Sequence, residues 1–173
     1  MKKIKKYYGT RLLLDIEDLK VYENDKIGIV GVNGVGKTTL LEIINRNIEY
    51  DSGELFYDKN TIIKYIPQLG EPKGKKISGE YASIFQVEDN WNKNMSGGEK
   101  TRFKVAEGFQ NSNSLLLVDE PTNNLDIGGI ELVIKNFKAY EGPFLVVSHD
   151  RNFLDAVCNK ILEIDNARCK IYN

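Results

Sequence analysis

The sequence is poor in the residues that stabilise secreted or metal-binding proteins. It contains two cysteines and one histidine in 173 residues, and Cys158 and Cys169 are not spaced as a metal motif. Two cysteines without a signal sequence favour a reducing compartment, so we expect a cytoplasmic protein. No apolar run approaches the length that spans a bilayer. We therefore expect a soluble protein with no membrane partner.

The sequence also lacks an excess of either charge. Its 24 Lys and Arg residues are balanced by 25 Asp and Glu residues, which leaves a formal net charge of −1. A domain-wide basic field that would drive non-specific binding to nucleic acid is therefore excluded, and any such contact must be local. The length suits one domain that buries its core without disulfide or metal support.

What the sequence does contain is a glycine-rich loop between an apolar segment and a helix-forming one, from Lys26 to Leu41. Gly31 to Thr38 fits the pattern G-x-x-x-x-G-K-[ST], whose backbone N–H groups surround a di- or triphosphate. Lys37 would reach the β- and γ-phosphates, and the Thr38 hydroxyl would bind Mg²⁺. We expect a nucleoside triphosphate as the ligand. The alternative is a flexible loop that merely joins a strand to a helix.

Polar side chains follow two apolar segments that we interpret as buried strands. Asp119 and Glu120 follow Ser114 to Val118, and His149 follows Phe144 to Val147. Ligands of doubly wound sheets bind at the carboxyl ends of the strands. We expect Asp119 to hold Mg²⁺ and Glu120 to orient or deprotonate the attacking water. For His149 we favour contact with a phosphate over a structural role.

Two further stretches are candidates for ligand contact. Ser96-Gly97-Gly98-Glu99 has capping-box spacing, and its glycines, which are poor helix formers, indicate close approach to an anion. The alternative is an ordinary helix cap. Tyr7 or Tyr8 could stack on a nucleobase, and we assign Tyr8 to the site; surface cover is the alternative for either ring.

Periodicity and turn residues predict the remaining elements. Strands are expected at Arg11 to Ile16, Leu19 to Tyr22 and Thr61 to Ile66, with a turn at Asp51-Ser52-Gly53. Helices are expected at Thr38 to Asn47, Glu80 to Glu88, Ser96 to Gln110, Ile127 to Tyr140 and Arg151 to Val157. A closing hairpin is expected from Lys160 to Asp165 and Arg168 to Tyr172, around Asn166-Ala167.

Taken together, these motifs resemble an ATP-binding cassette (ABC) domain over nearly the whole chain. They occur in the order and rough spacing of that family's Walker A, Q-loop, signature, Walker B, D-loop and H-loop segments. The corresponding residues are Gly31 to Thr39, Gln68, Met95 to Glu99, Leu115 to Glu120, Asn124 to Asp126, and His149. The resemblance implies an α/β P-loop NTPase fold with a mainly parallel core sheet, an N-terminal antiparallel β subdomain and a much shortened helical subdomain.

The resemblance also implies the roles of individual residues toward ATP and Mg²⁺. Glu120 would be the catalytic carboxylate, His149 would contact the γ-phosphate, and Gln68 would contact both Mg²⁺ and the attacking water. The metal would be held by Thr38, Gln68 and Asp119. Nucleotide contacts within the chain would come from Tyr8, Gly31, Asn33, Gly34, Val35, Gly36, Lys37, Thr38 and Thr39. Ser96, Gly97, Gly98, Glu99 and Asp126 would contact ATP at the junction with a partner cassette.

Two segments are similar to the ABC-F branch, whose members carry two cassettes in one chain and act on ribosomes. They are Asp-Glu-Pro-Thr-Asn-Asn-Leu-Asp, from Asp119, and Ser-His-Asp-Arg-Asn-Phe-Leu-Asp, from Ser148. The short stretch between Gln68 and Met95 resembles the first cassette of antibiotic-resistance members, which are thought to dislodge drugs from the ribosome. The implied partners are a second cassette, the ribosome, and its tRNA or rRNA.

One departure from the family is conservative, since Met95 stands where leucine is usual. The other is that the chain ends at Asn173, where the family continues into a linker and a second cassette. We expect residues 1–173 to be one nucleotide-binding domain, the first cassette of a two-cassette protein. We expect weak ATPase activity unless two copies pair. The alternatives are the ATPase subunit of a membrane transporter and a binding module that ATP locks onto RNA.

Overall fold

The computed structural model describes residues 1–110 and 114–173. The strands are β1 (Lys2–Tyr8), β2 (Arg11–Asp18), β3 (Lys26–Val30), β4 (Ser52–Glu54), β5 (Ile63–Ile66), β6 (Leu115–Asp119), β7 (Phe144–Val147), β8 (Lys160–Asp165) and β9 (Arg168–Tyr172). The helices are α1 (Lys37–Ile44), α2 (Gly79–Phe85), α3 (Gly97–Phe109), α4 (Ile127–Ala139) and α5 (Arg151–Val157).

The described strands form a single mixed sheet in the order β4-β1-β2-β9-β8-β3-β7-β6-β5. Strands β8, β3, β7, β6 and β5 are mutually parallel, whereas β1 pairs antiparallel with both β2 and β4. Strand β9 is antiparallel to β8 and meets β2 in parallel at Asp15 and Arg168. The expected parallel core with an N-terminal antiparallel region is confirmed.

Hydrophobic side chains pack against both faces of the parallel strands. Successive residues of a strand point to opposite faces, so Leu116 and Val118 join one buried cluster while Leu117 joins the other. Helix α1 covers one face with Leu40, Leu41, Ile43 and Ile44. Helices α3, α4 and α5 cover the other face. Burial on both faces explains why the core strands read as continuous apolar runs.

The segment between β5 and α3 is short, and α2 is its one helix. Helix α2 packs against α3 through Phe85, whose ring centroid lies 5.6 Å from that of Phe109. Trp91 lies beside Phe103 of α3, with ring centroids 5.4 Å apart. The expected shortened helical subdomain therefore consists of α2, α3 and the loops around them.

Two of the predicted local structures are wrong. Leu19 to Tyr22 is not a strand; it is a connection that leads into the turn before β3, with the Leu19 amide bonded to the Met1 carbonyl at 3.0 Å. Ser52 and Gly53 do not form the expected turn, because Ser52–Glu54 pairs as β4 with β1. Neither local pattern decides the structure by itself, because a segment becomes a strand only where it can pair with another strand that is distant in sequence.

The other boundaries differ from expectation by a few residues at most. Helix α5, strand β7 and both strands of the β8–β9 hairpin match their predicted limits. Helix α1 ends at Ile44 rather than Asn47, and β5 begins at Ile63 rather than Thr61. Helix α2 ends at Phe85 rather than Glu88, because Gln86 adopts a left-handed conformation with φ of 53°.

The aromatic cluster under the sheet provides a test of this core. The Phe137 ring contacts those of Phe109, Phe144 and Phe153, with centroids 5.1, 5.2 and 5.3 Å away. Phe137→Ala should lower the free energy of unfolding by about 3–5 kcal/mol, because it empties a close-packed site. Denaturant unfolding measures this value.

The control is Phe56→Ala, at a ring that is 64% exposed, which should lower the free energy of unfolding by roughly 0.5 kcal/mol or less. Equal losses would contradict the described core.

Candidate functional site

The glycine-rich loop joins the end of β3 to the start of α1. Gly31 has a φ of 152°, and a Cβ there would lie 2.5 Å from the Ile164 carbonyl oxygen, so glycine is required. Helix α1 begins at Lys37 and has no side-chain hydrogen bond at its N-terminal cap. Its first N–H groups therefore remain available to an anion at the positive end of the helix dipole. Val35 anchors the loop in the core.

The Lys37 ammonium group lies inside this loop. Lys37 is buried, and its Nζ donates hydrogen bonds to the carbonyl oxygens of Gly31 at 2.8 Å and Val32 at 3.1 Å. These contacts hold a positive charge beside the open N–H groups of α1. The combination is suited to binding the terminal phosphates of a nucleotide.

Two of the three side chains predicted to hold a metal ion, Thr38 and Asp119, meet at one edge of the sheet. The Thr38 hydroxyl donates a hydrogen bond to Asp119 Oδ2 at 2.7 Å. A hydroxyl and a carboxylate are the hard oxygen ligands that Mg²⁺ uses when water and phosphate complete its shell. No cluster of three His, Cys, Asp or Glu side chains suitable for a metal occurs among residues 1–110 and 114–173. The donors present therefore fit Mg²⁺ bound together with phosphate.

Glu120 follows Asp119 directly and points into the same region. It is 7% exposed and has a positive φ of 55°, a conformation that is uncommon outside glycine. Its Oε2 accepts a hydrogen bond from the His149 backbone N–H at 3.3 Å. Its Oε1 makes no hydrogen bond to the described residues, 1–110 and 114–173, and lies 3.4 Å from His149 Nε2. One oxygen of a buried carboxylate is thus free to accept a proton.

These groups surround one cavity of about 760 Å³. The predicted residues that line it are Tyr8, Asn33, Gly34, Gly36, Lys37, Thr38, Thr39, Gln68, Asp119, Glu120 and His149. Tyr8 lines the cavity and Tyr7 does not, in keeping with the alternation of successive side chains along a strand. The structure therefore brings together residues from β1, β6 and α1 and from the loops that follow β3, β5 and β7, as expected for one ligand site.

The signature residues lie elsewhere, at a second and more open depression. Ser96 and Glu99 form the predicted capping box: Glu99 N donates to Ser96 Oγ at 3.2 Å, and Ser96 N donates to Glu99 Oε2 at 2.8 Å. Gly97, Gly98 and Asp126 line the same depression. The Asp126 carboxylate accepts from the Gly129 N–H at 2.8 Å and so caps α4. None of these residues reaches the cavity that holds Lys37.

Comparison with known proteins places the chain in a family. The sequence pattern of the ABC transporter family matches residues 14–93. The erythromycin resistance ATP-binding protein MsrA of Staphylococcus epidermidis is 36% identical over 87% of this chain. The ribosome protection protein VmlR of Bacillus subtilis is 33% identical over 84% of it. The chain belongs to the ATP-binding cassette family. These relatives agree with the resemblance to an ABC-F cassette.

Solved structures agree on the fold of this ABC ATPase domain. The dimeric cassette MJ0796, described as a bacterial ABC transporter cassette, superposes with a TM-score of 0.82 at 22% identity. The two chains cover 99% and 97% of each other. An archaeal ribosome recycling factor, aABCE1, gives a TM-score of 0.82 at 24% identity, covering 96% of this chain and 37% of that one.

The cassette spans about a third of the length of the curated relatives that it matches. The shares are 31% of MsrA, 27% of VmlR and 41% of the energy-dependent translational throttle protein EttA of Mycobacterium tuberculosis, which is 28% identical over 99% of this chain. Among its described residues, the cassette has no helix with the length and apolar character needed to span a bilayer.

The cassette's cavity also includes residues that the sequence analysis did not assign to it. They are Arg11, Leu13, Asn123 and Val147. Arg11 pairs with Tyr8 across the β1–β2 hairpin, a pairing that was not predicted from the sequence. Asn123 lies three residues after Glu120, and its N–H donates to the Glu120 carbonyl at 3.3 Å. No pattern in the sequence singled out Asn123.

Burial determines the protonation behaviour of both carboxylates. Burial raises the pKa of Asp119, although the hydrogen bond from Thr38 and the charge of Lys37 partly offset this. Burial likewise raises the pKa of Glu120, and the neighbouring His149 offsets part of that rise. A carboxylate with a raised pKa is a stronger base than one in water, which suits proton abstraction from water near neutral pH.

The raised pKa of Glu120 predicts that Glu120→Gln stabilises the cassette. The folded state favours the neutral carboxyl, so wild-type stability is highest below the ordinary glutamate pKa and falls as pH rises through the raised value. Glutamine does not ionise and avoids this loss. At about pH 8 we expect a gain on the order of 1 kcal/mol, which corresponds to a rise in melting temperature of roughly 2–4 °C.

Thermal melts at about pH 5 and pH 8 measure this effect, and the gain should be smaller at the lower pH. Glu131→Gln, on the exposed face of α4, is the matched control and should shift neither melt. A Glu120→Gln variant that melts below wild type at pH 8 would show that the folded state favours the charged carboxylate.

Proposed function

We propose that this cassette binds ATP with Mg²⁺ and hydrolyses it, and that it does so within a longer protein that acts on the ribosome. The observation that carries the enzymatic part is the convergence of a buried ammonium group, a hydroxyl–carboxylate pair and a buried carboxylate with one free oxygen. Lys37, Thr38, Asp119 and Glu120 supply these groups to one cavity. Each matches a different requirement of phosphoryl transfer to water.

ATP binding would use the loop between β3 and α1. The open N–H groups at the start of α1 and the Lys37 ammonium would bind the β- and γ-phosphates. Tyr8, which lines the same cavity and is 53% exposed, would stack on the adenine ring. Thr38, Asp119 and Gln68 would hold Mg²⁺. The ion would supply positive charge that offsets the negative charge of the phosphate oxygens.

Hydrolysis would use Glu120 and His149. A water oxygen attacks the γ-phosphorus, the bond from that phosphorus to the bridging oxygen breaks, and ADP and phosphate leave. The water proton passes to Glu120 Oε1, the oxygen that has no hydrogen-bond partner in the described part of the chain. His149 Nε2 is 3.4 Å from that oxygen, and its side chain is 61% exposed. We propose that it contacts the γ-phosphate from the open side of the cavity.

The complete site would need a second cassette. Ser96, Gly97, Gly98, Glu99 and Asp126 lie at a depression separate from the cavity. We propose that they cover ATP held by a partner cassette, in the same longer chain or in a second copy. The superposition on a dimeric cassette is consistent with this arrangement. Residues 1–173 would then be one domain of a two-cassette protein with weak activity alone.

The ribosomal role is proposed from two observations. Relatives at 36% and 33% identity are named for erythromycin resistance and ribosome protection, and a third is named as a translational throttle. The segment between β5 and α3 contains only the seven-residue α2 among its described residues, whereas a transporter cassette would use a larger helical region there to dock onto membrane helices. We therefore propose a cytoplasmic protein in antibiotic resistance, with a transporter subunit as the alternative.

Lys37→Ala should weaken ATP binding by at least about a hundredfold, because a charge-assisted contact to phosphate in a buried site is removed. Calorimetric titration of the cassette with ATP and Mg²⁺ measures the dissociation constant. Lys135→Ala, on the exposed face of α4, keeps the same net charge change and should bind as wild type does. Equal affinity of wild type and Lys37→Ala would refute the phosphate site.

Glu120→Gln should trap ATP and the ATP-bound assembly, because binding is retained while water is not activated. In the longer protein that contains this cassette, we expect ATP to make the variant sediment with ribosomes. Without ATP, and in the doubly substituted Lys37→Ala, Glu120→Gln protein, it should remain in the supernatant. Co-purification with a membrane subunit instead would favour the transporter alternative.

A further inference from the structure

Lys104 is a buried lysine in a position that would suit an apolar residue. It lies on α3, is 7% exposed, and is flanked by the buried residues Phe103, Val105 and Ala106. Lys37 and Lys104 are the buried lysines among the described residues. Burying an ammonium group costs several kcal/mol unless strong contacts offset it. The proposed phosphate contact explains the burial of Lys37, but it does not explain the burial of Lys104.

The contacts of Lys104 are backbone carbonyls rather than a carboxylate. Its Nζ donates to the carbonyl oxygens of Pro67 at 3.0 Å and Gln68 at 2.7 Å. No ion pair to Lys104 is found within residues 1–110 and 114–173. Burial lowers the pKa of Lys104, which means that keeping its ammonium group charged here costs stability. Two short bonds from one side chain fix the backbone at Gln68 directly.

The backbone that Lys104 holds is the one that presents Gln68 to the ATP cavity. The Gln68 side chain lines that cavity, and its residue is otherwise exposed. One turn along α3 from Lys104, Gly108 lies so close to Ile66 that an added Cβ would collide with the Ile66 side chain. Helix α3 is therefore pressed against the end of β5, which keeps Lys104 within reach of the residues that follow that strand.

A second buried side chain of α3 makes the same kind of contact with the neighbouring loop. Thr101 Oγ1 donates to the Asn123 carbonyl oxygen at 3.0 Å. Asn123 lines the cavity and follows Glu120 in the loop after β6. The two buried polar side chains of α3 are thus both directed at loops that carry predicted catalytic residues. The helix that begins at the signature segment anchors both loops.

We propose that Lys104 is a positioning residue that holds the Gln68 backbone and so aims its side chain at the attacking water and Mg²⁺. This inference rests on the proposed ATPase function and deepens it. Loss of the two hydrogen bonds would leave the phosphate loop intact and let the segment after β5 move. A shift of about 1 Å in a water-positioning group is enough to reduce turnover severalfold to a hundredfold.

The test compares Lys104→Met, which keeps the aliphatic stem and removes the donors, with Lys104→Arg, which retains donors, and with the exposed Lys135→Met. Hydrogen–deuterium exchange in the cassette without ligand reports how well ordered residues 66–70 are, and α1 serves as the reference segment. We expect exchange at 66–70 to rise at least about tenfold in Lys104→Met, with α1 within roughly twofold of wild type. Lys135→Met should change neither segment, and Lys104→Arg should restore part of the protection.

Turnover and affinity for ATP are then measured on the same proteins. Lys104→Met should lower kcat about tenfold or more while the dissociation constant for ATP changes less than roughly threefold. Unchanged exchange at 66–70, or an unchanged kcat, would overturn the proposal. A parallel loss of affinity and of α1 protection would also overturn it, because that result indicates general destabilisation. Failure of wild type to bind ATP would refute the proposed function instead, while exchange would still decide whether Lys104 orders the segment.

Discussion

The site depends on the parallel alignment of the core strands. Because β3, β5, β6 and β7 run in the same direction, the residues that follow them meet at one edge of the sheet. Gly31 follows β3, Gln68 follows β5, Glu120 follows β6 and His149 follows β7. Residues more than a hundred positions apart in sequence thus line one cavity. A single antiparallel pairing within this set would direct one of these side chains to the opposite edge.

The same alignment places unlike charges together in a setting with little water. Asp119 and Glu120 are buried beside the Lys37 loop, and burial raises the pKa of both carboxyl groups. Such an arrangement is costly for stability unless it is compensated by contacts with a ligand. The cost has a chemical use, because a desolvated carboxylate with a free oxygen accepts a proton from water more readily than an exposed one. Stability and catalysis therefore impose opposite demands on Glu120.

Helix α3 links the two ligand-facing surfaces of the cassette. Its N-terminus is the signature segment, which is closed by the capping box of Ser96 and Glu99. Its buried face holds the Gln68 and Asn123 backbones through Lys104 and Thr101. Helix α3 therefore connects the partner-facing surface physically to the loops that line the cassette's own cavity. Helix α3 packs both against α2, through Phe109 and Phe85, and against the buried cluster beneath the sheet.

Local sequence was sufficient where one strong constraint acts over a few residues. The phosphate loop, the capping box at Ser96 and the β8–β9 hairpin were all predicted from neighbouring residues, because glycine conformation, caps and turns are short-range effects. The order of motifs was enough for the fold and for most residues of the cavity. The Leu19–Tyr22 connection and the β4 pairing were missed, since strand formation needs a partner strand that is distant in sequence. Only the tertiary structure showed that the assigned Tyr8, and not Tyr7, lines the cavity, and only it revealed the bonds from Lys104 to the Gln68 segment. It decided these points because burial, the direction of a side chain and the pKa of a carboxyl group depend on which distant residues surround it.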